Sequence, residues 1–190
     1  MNRPPGRADT TSSSPHWVFG YGSLIYKVDF PYLRREIASL AGWQRRFWQG
    51  SHDHRGTPDA PGRVLTLIPE PGAVCRGGAF QVEETVFDHL DYREKNGYER
   101  HDTSLLLHPQ TASEDDEQVE GTVYIASPDN PAYLGDAPIG ELARHIARSE
   151  GPSGTNREYL LKLDEALRQI DASDSHVTTL AQAVRELPSL

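Results

Sequence analysis

Two short stretches hold the residue types best suited to chemistry. Gly20-Tyr21-Gly22-Ser23-Leu24 follows the apolar run Trp17-Val18-Phe19, which reads as a short buried strand. A strand ending in Gly-x-Gly-Ser turns sharply and bares its backbone N–H groups. Two glycines remove the Cβ atoms that would keep a ligand away from them. Such a turn can cradle a carboxylate or an oxyanion without a basic side chain, with Ser23 as an added hydroxyl donor. It can equally be a tight turn between two core elements. Stronger glycine motifs are excluded. Ile25 stands where a dinucleotide fingerprint needs its third glycine and where a nucleophile elbow needs its second. No Gly-Lys-Ser/Thr ending occurs, so there is no P-loop.

The second stretch is Leu90-Asp91-Tyr92-Arg93-Glu94-Lys95-Asn96-Gly97-Tyr98. A helix ends here, with Asn96-Gly97 as its stop signal, because both residues tolerate positive φ. Glu94 falls in the last turn, where a carboxylate opposes the helix dipole. A proton-transfer role is one reason to keep it there. A surface ion pair with Arg93 or Lys95 is the other.

Other candidates are weaker. His52-Asp53-His54 has the alternate spacing of a metal-binding strand, with His89 or His101 as a conceivable third ligand. Yet Arg55, Gly56, Thr57, Pro58 and Pro61 make the segment a polar hydrogen-bonded loop, and the reading is no metal site. Arg55 and Arg63 flank that loop; either could grip a substrate carboxylate bidentately or pair with one of the many acids. Tyr124 sits mid-strand in Val123-Tyr124-Ile125, as core tyrosines do. Cys75, in an apolar run, reads as a buried inert thiol.

Strands are expected at about 17–22, 40–49, 62–69, 73–82, 99–107 and 118–126 to position these groups. Pro69-Glu70-Pro71-Gly72 reads as a turn between two of them. Glu114-Asp115-Asp116-Glu117 reads as a solvated acidic loop. Helices are expected at about 83–93, 138–149, 156–171 and 175–186. Pro138 suits a first helical position, and Thr155 with Glu158 has capping-box spacing. Strands first and helices last favour an α+β fold, with a partly closed barrel flanked by helices.

The chain has 190 residues, enough for one domain with a real core. Lys and Arg total 19 against 28 Asp and Glu, a net charge of −9, which argues against nucleic acid or an anionic membrane as partner. One cysteine allows no intrachain disulfide and points to a reducing compartment. Residues 1–15 are rich in Pro, Ser, Thr and Arg and lack the apolar stretch of a signal peptide. They read as a disordered leader on a cytoplasmic protein, with residues 16–190 as a single domain.

Over residues 16 to 187 the sequence resembles the ChaC family of glutathione-specific γ-glutamylcyclotransferases. The resemblance rests on Trp17 to Ile25, Val28-Asp29-Phe30-Pro31-Tyr32, Arg46 to Ser51, Asp53 to Pro58, Pro61-Gly62-Arg63-Val64, Tyr92 to Tyr98, Asp129 to Gly135 and Gly151 to Leu160. It implies a small mixed β-barrel flanked by helices and no metal or organic cofactor. The implied substrate is glutathione, with 5-oxoproline and cysteinylglycine as products. Partner proteins are not implied. Glu94 takes the place of the family's general acid/base. Tyr21, Gly22, Ser23 and Leu24 form the loop that binds the γ-glutamyl moiety, and Tyr124 lines the pocket near that carboxylate. From the residues alone, Arg55 or Arg63 is expected to reach the glycine carboxylate at the far end of such a substrate. Two departures stand out. Asn96-Gly97 replaces a usual pair of glycines, and Tyr26 stands where Trp is common. Two rivals share these residues: a cyclotransferase for other γ-glutamyl compounds, and a regulatory binding module with a vestigial pocket. Intact Gly20 to Leu24 together with Glu94 weigh against the second.

Overall fold

The computed structural model describes residues 15–94, 97–110 and 115–188. The expected leader apart from Pro15, Lys95, Asn96 of the stop signal and Glu114 of the acidic loop therefore lie outside the described residues.

β1 (His16–Gly20) is the shared strand of a closed barrel. It pairs antiparallel with β3 (Gly62–Val82) and parallel with β5 (Glu117–Ala126). β3 pairs with β2 (Arg34–Ser51), β2 with β4 (Tyr98–His108), and β4 with β5. The order β1-β3-β2-β4-β5 thus closes on itself, and the parallel β1–β5 pair makes the barrel mixed. Among the described residues, closure leaves the barrel itself without a free edge strand. β1 reads as an unbroken apolar run because both of its faces are covered. Trp17 and Phe19 enter the main core, while Val18 points into a second cluster with Phe80, Val86, Phe87 and Leu90.

That second cluster is roofed by α1 (Val86–Glu94), whose Val86, Phe87 and Leu90 are its buried stripe. Packing this stripe fixes the end of the helix, and Glu94 is its last residue. Gly97 has φ +95, as the stop signal requires. The other three helices, α2 (Ile139–Arg148), α3 (Asn156–Gln169) and α4 (Ser175–Arg185), share the main core with the barrel interior. Thr155 caps α3 by accepting the Glu158 N–H at 3.1 Å, as its spacing anticipated. Buried Asp164 on α3 accepts from Arg185 of α4 at 2.9 Å and from Arg168 at 2.8 Å.

Three expectations change. Pro69-Glu70-Pro71-Gly72 does not separate two strands. Trp43 pairs with Pro69 and Ala41 with Val74, so the segment is a bulge inside one long strand. Strand 1 ends at Gly20, so Tyr21 and Gly22 already belong to the turn. Pro138 caps α2 from outside rather than opening it, its carbonyl accepting from Glu141 and Leu142. A two-stranded pair, β6 (Glu150–Gly151) with β7 (Gly154–Thr155), was not anticipated.

Candidate active site

The turn after β1 is built to leave amides unspent. A single 3-10 turn, Ser23–Ile25, uses the N–H groups of Ile25, Tyr26 and Lys27 as donors to Gly22 and Ser23 carbonyls. The first N–H groups of such a turn have no partner within it. An added Cβ at Gly22 would stand 3.2 Å from the Tyr159 hydroxyl, so the bare glycine lets the two approach closely. The turn is anchored from beneath. Buried Arg45 donates to the Tyr21 carbonyl at 2.7 Å, and the Tyr21 hydroxyl donates to the Tyr124 carbonyl at 2.8 Å.

Two adjoining hollows open beside this turn. The inner one, about 70 Å³, is lined by Tyr21, Gly22, Ser23, Leu24, Glu94 and Tyr124, with Tyr98 and Tyr159 closing its wall. The outer one, about 210 Å³, is lined by Ser23, Asp29, His54, Arg55, Arg93 and Glu94 among others. Ser23, Glu94, Tyr98 and Tyr159 border both. Seven of the residues singled out from the sequence (Tyr21, Gly22, Ser23, Leu24, Arg55, Glu94 and Tyr124) thus meet around one cavity system. A larger depression of about 730 Å³ lies on the outer face of α3, between Arg157, Lys162, Arg168 and Arg185. Glu94 does not border it.

Glu94 is mostly enclosed, its side chain 21% exposed. Burial raises its pKa above the usual carboxylate range; Arg93 opposes this, and Asp29 and Asp53 add to it. The surrounding phenols of Tyr21, Tyr98 and Tyr159 are also pushed up by burial and stay neutral. Glu94 is therefore the group of the inner hollow that titrates nearest neutrality. Arg93 reaches it at 3.3 Å, so the expected ion pair forms, but at the cavity and not on the open surface.

The other candidates separate. Tyr124 lines the inner hollow, and its hydroxyl donates to Asp91 at 2.6 Å and accepts from Arg100 at 3.0 Å. Arg55 borders the outer hollow. Its Nη1 donates to the Thr155 carbonyl at 3.0 Å and to Glu158 at 3.2 Å, and its plane lies over Tyr159 at 5.5 Å. Arg63 does not reach the site. Its Nη1 donates to the carbonyls of Phe47 at 3.1 Å and Gly135 at 2.8 Å, so it is spent on backbone. His54 forms a hydrogen bond between its Nδ1 and Ser153 Oγ at 3.1 Å, within the polar loop expected there. Cys75 is buried away from the cavity, and burial pushes its thiol up to about 11.

Sequence reasoning missed Arg93, Asp29, Tyr98 and Tyr159 as pocket residues. Arg93 donates to Asp29 at 2.5 Å and to Ser23 Oγ at 3.0 Å. Tyr159 lies on the inward face of α3, one residue before Leu160, and that position was its only signal.

Comparison with known proteins places these features in context. A family model described as ChaC-like protein matches residues 16–187. Gamma-glutamylcyclotransferase 2-3 of Arabidopsis thaliana is 47% identical over 182 residues, covering 91% of this chain and 90% of that protein. Glutathione-specific gamma-glutamylcyclotransferase 1 of Danio rerio is 41% identical over 176 residues, 88% of each. A crystal structure of the yeast gamma-glutamyl cyclotransferase specific to glutathione superposes with a TM-score of 0.82 at 34% identity, covering 92% of this chain and 97% of that one.

Proposed function

The chain belongs to the ChaC-like family, and from that premise we propose that it cleaves glutathione to 5-oxoproline and cysteinylglycine. The observation that carries the reading is the position of Glu94, at the border between a small hollow beside a bare-amide turn and a larger cleft. The names of relatives alike over most of their length support the same activity.

The inner hollow takes the glutamyl end, and the amides around Gly22 to Leu24 receive its α-carboxylate. Ser23 accepts from Arg93, which leaves its own hydroxyl proton to donate. Holding the glutamyl chain folded brings its α-amino nitrogen onto its own γ-carbonyl carbon. Both groups belong to one molecule, so orientation supplies much of the acceleration.

An ammonium cannot attack, and an amide nitrogen leaves badly unless it is protonated. Glu94 removes a proton from the α-amine, the new C–N bond closes the five-membered ring, and Glu94 returns a proton to the departing cysteinyl nitrogen. Its raised pKa suits both steps. No covalent intermediate is needed, so neither Ser23 nor Cys75 acts as a nucleophile.

The cysteinylglycine half lies in the outer cleft, where Arg55 faces its carboxylate. Residues 16–190 are read as one catalytic domain. The net charge of −9 and the single thiol support a small-molecule partner and a cytoplasmic setting, rather than nucleic acid or a membrane surface. Among the described residues no helix is long and apolar enough to cross a membrane.

Incubation with glutathione tests the proposal. The expected result is stoichiometric release of 5-oxoproline and cysteinylglycine. Release of free glutamate instead, or no turnover, overturns it.

A further inference from the structure

Glu94 ends a helix whose C-terminal carbonyls repel it, yet its carboxylate must be held to within a fraction of an ångström of a substrate amine. A side chain anchored beyond the helix has to hold it. Arg93 is the group placed to do so, and its three donor positions go to three different acceptors. Nε faces Glu94 Oε1 at 3.3 Å, Nη2 donates to Ser23 Oγ at 3.0 Å, and Nη1 donates to Asp29 Oδ1 at 2.5 Å.

We propose that Arg93 is a positioning residue for the reaction: its guanidinium clips the Glu94 carboxylate to the Ser23 turn and to the Asp29 loop. The inference rests on the function proposed above. A planar fork with fixed donor directions is suited to this, and a flexible ammonium reproduces it only in part. One side chain then sets the distance between the carboxylate that moves protons and the turn that holds the substrate.

The clip has an electrostatic consequence. Glu94 faces Asp29 from the loop after the turn, Asp53 from the loop after β2, Tyr21 beside the turn, Tyr98 on β4 and Tyr159 on α3. These are acidic groups or neutral phenols. Lys27 and Arg55 also line the outer hollow, but among the described residues Arg93 is the cation that bears on Glu94 and counters these groups and its burial, so it keeps Glu94 available as a base. His89 Nε2 also stands 3.7 Å from the same Asp29 oxygen.

The test uses Arg93→Met and Arg93→Lys in the full chain. Arg93→Met is expected to lower kcat/KM for glutathione by ~10- to 100-fold, the scale of a small misplacement of reacting groups. The acidic limb of the pH–rate profile is expected to move to higher pH, because Glu94 loses its cation. Arg93→Lys is expected to recover part of the rate and to move the limb back. A second measurement does not depend on turnover. The Glu94 carboxyl carbon is followed by NMR titration, assigned by its loss in Glu94→Gln, and its midpoint is expected to rise in Arg93→Met. An unchanged midpoint and limb overturn the proposal, as does a rate loss explained by a lower melting temperature alone. If the midpoint rises but neither wild type nor variant releases 5-oxoproline, the clip stands and the proposed function falls.

Discussion

Arg45, buried in the barrel wall, donates from Nε to the backbone carbonyl of Tyr21 at 2.7 Å. A second nitrogen reaches the Arg76 carbonyl, and Nη1 faces Asp174 at 3.6 Å at the start of α4. One buried cation therefore joins the turn after β1, β3 and the cap of the last helix. A charge is stable in such a place because every direction around it offers an oxygen.

Replacing Arg45 by Met is expected to destabilise the fold by about 3 kcal/mol, since it takes the donor from the buried Tyr21 carbonyl and the half-buried Arg76 carbonyl and the cation from Asp174, which keeps the His176 and Val177 N–H groups. The melting temperature falls by on the order of 10 °C for a chain of this size. Differential scanning calorimetry checks this. A drop of under about 2 °C means that the carbonyls find other donors and that Arg45 is not the anchor.

Glu94→Gln keeps the shape and loses the proton carrier. Activity is expected to fall by ~10²- to 10⁴-fold, the usual contribution of general acid–base catalysis, with the fold unchanged by circular dichroism. Retention of more than about a third of wild-type turnover would remove Glu94 from the mechanism.

The turn after β1 and the end of α1 were legible because each is written locally. The apolar run, the glycines and the capping residues lie within a few positions of what they control. The clips between them were not. Arg45 finds Tyr21 from 24 residues away, and Arg93 finds Ser23 from 70. An arginine has the same local signature whether it ends in water or on a buried carbonyl, so pattern alone left Arg63 and Arg55 as equals. The fold then spent Arg63 on the carbonyls of Phe47 and Gly135 and left Arg55 at the cleft. The long strand β3 was hidden for another reason. Pro69 and Pro71 break the ladder pattern, and only the partner strand reveals that pairing resumes at Val74.

Acid sensitivity has an identifiable source in His176. Burial, reinforced by Arg46, lowers its pKa from 6.5 to about 4, against the pull of Asp174 and Asp136. Its Nε2 accepts the Phe47 N–H at 3.2 Å, which requires the neutral ring. The unfolded chain takes up this proton at higher pH than the fold does. The stabilisation is therefore complete above about 6.5 and is lost as pH falls towards about 4. The expected loss from this group is at most roughly 3 kcal/mol. Urea unfolding of wild type and His176→Gln between these pH values tests it. The variant should show the shallower dependence, and parallel curves would exonerate His176.

Substrate choice turns on the far end of the cleft. Arg55 is almost buried, yet among the described residues its side chain makes hydrogen bonds through Nη1 alone. The remaining edge of its guanidinium can accept a carboxylate in the fork geometry that arginine favours. Glu158 keeps Lys162 at 2.6 Å, so losing Arg55 does not strand that carboxylate. Glutathione is expected to exceed γ-glutamylalanine in kcat/KM by more than about a hundredfold, or roughly 2.7 kcal/mol. Binding energy from the glycine carboxylate then serves to align the reacting end. Arg55→Met is expected to cut that ratio by ~10-fold or more, with most of the change in glutathione. Parallel kinetics on both substrates decide the matter. A ratio near one in the wild type refutes glutathione specificity and leaves the cyclotransferase chemistry standing. A high ratio that survives Arg55→Met assigns the discrimination to other residues of the outer cleft.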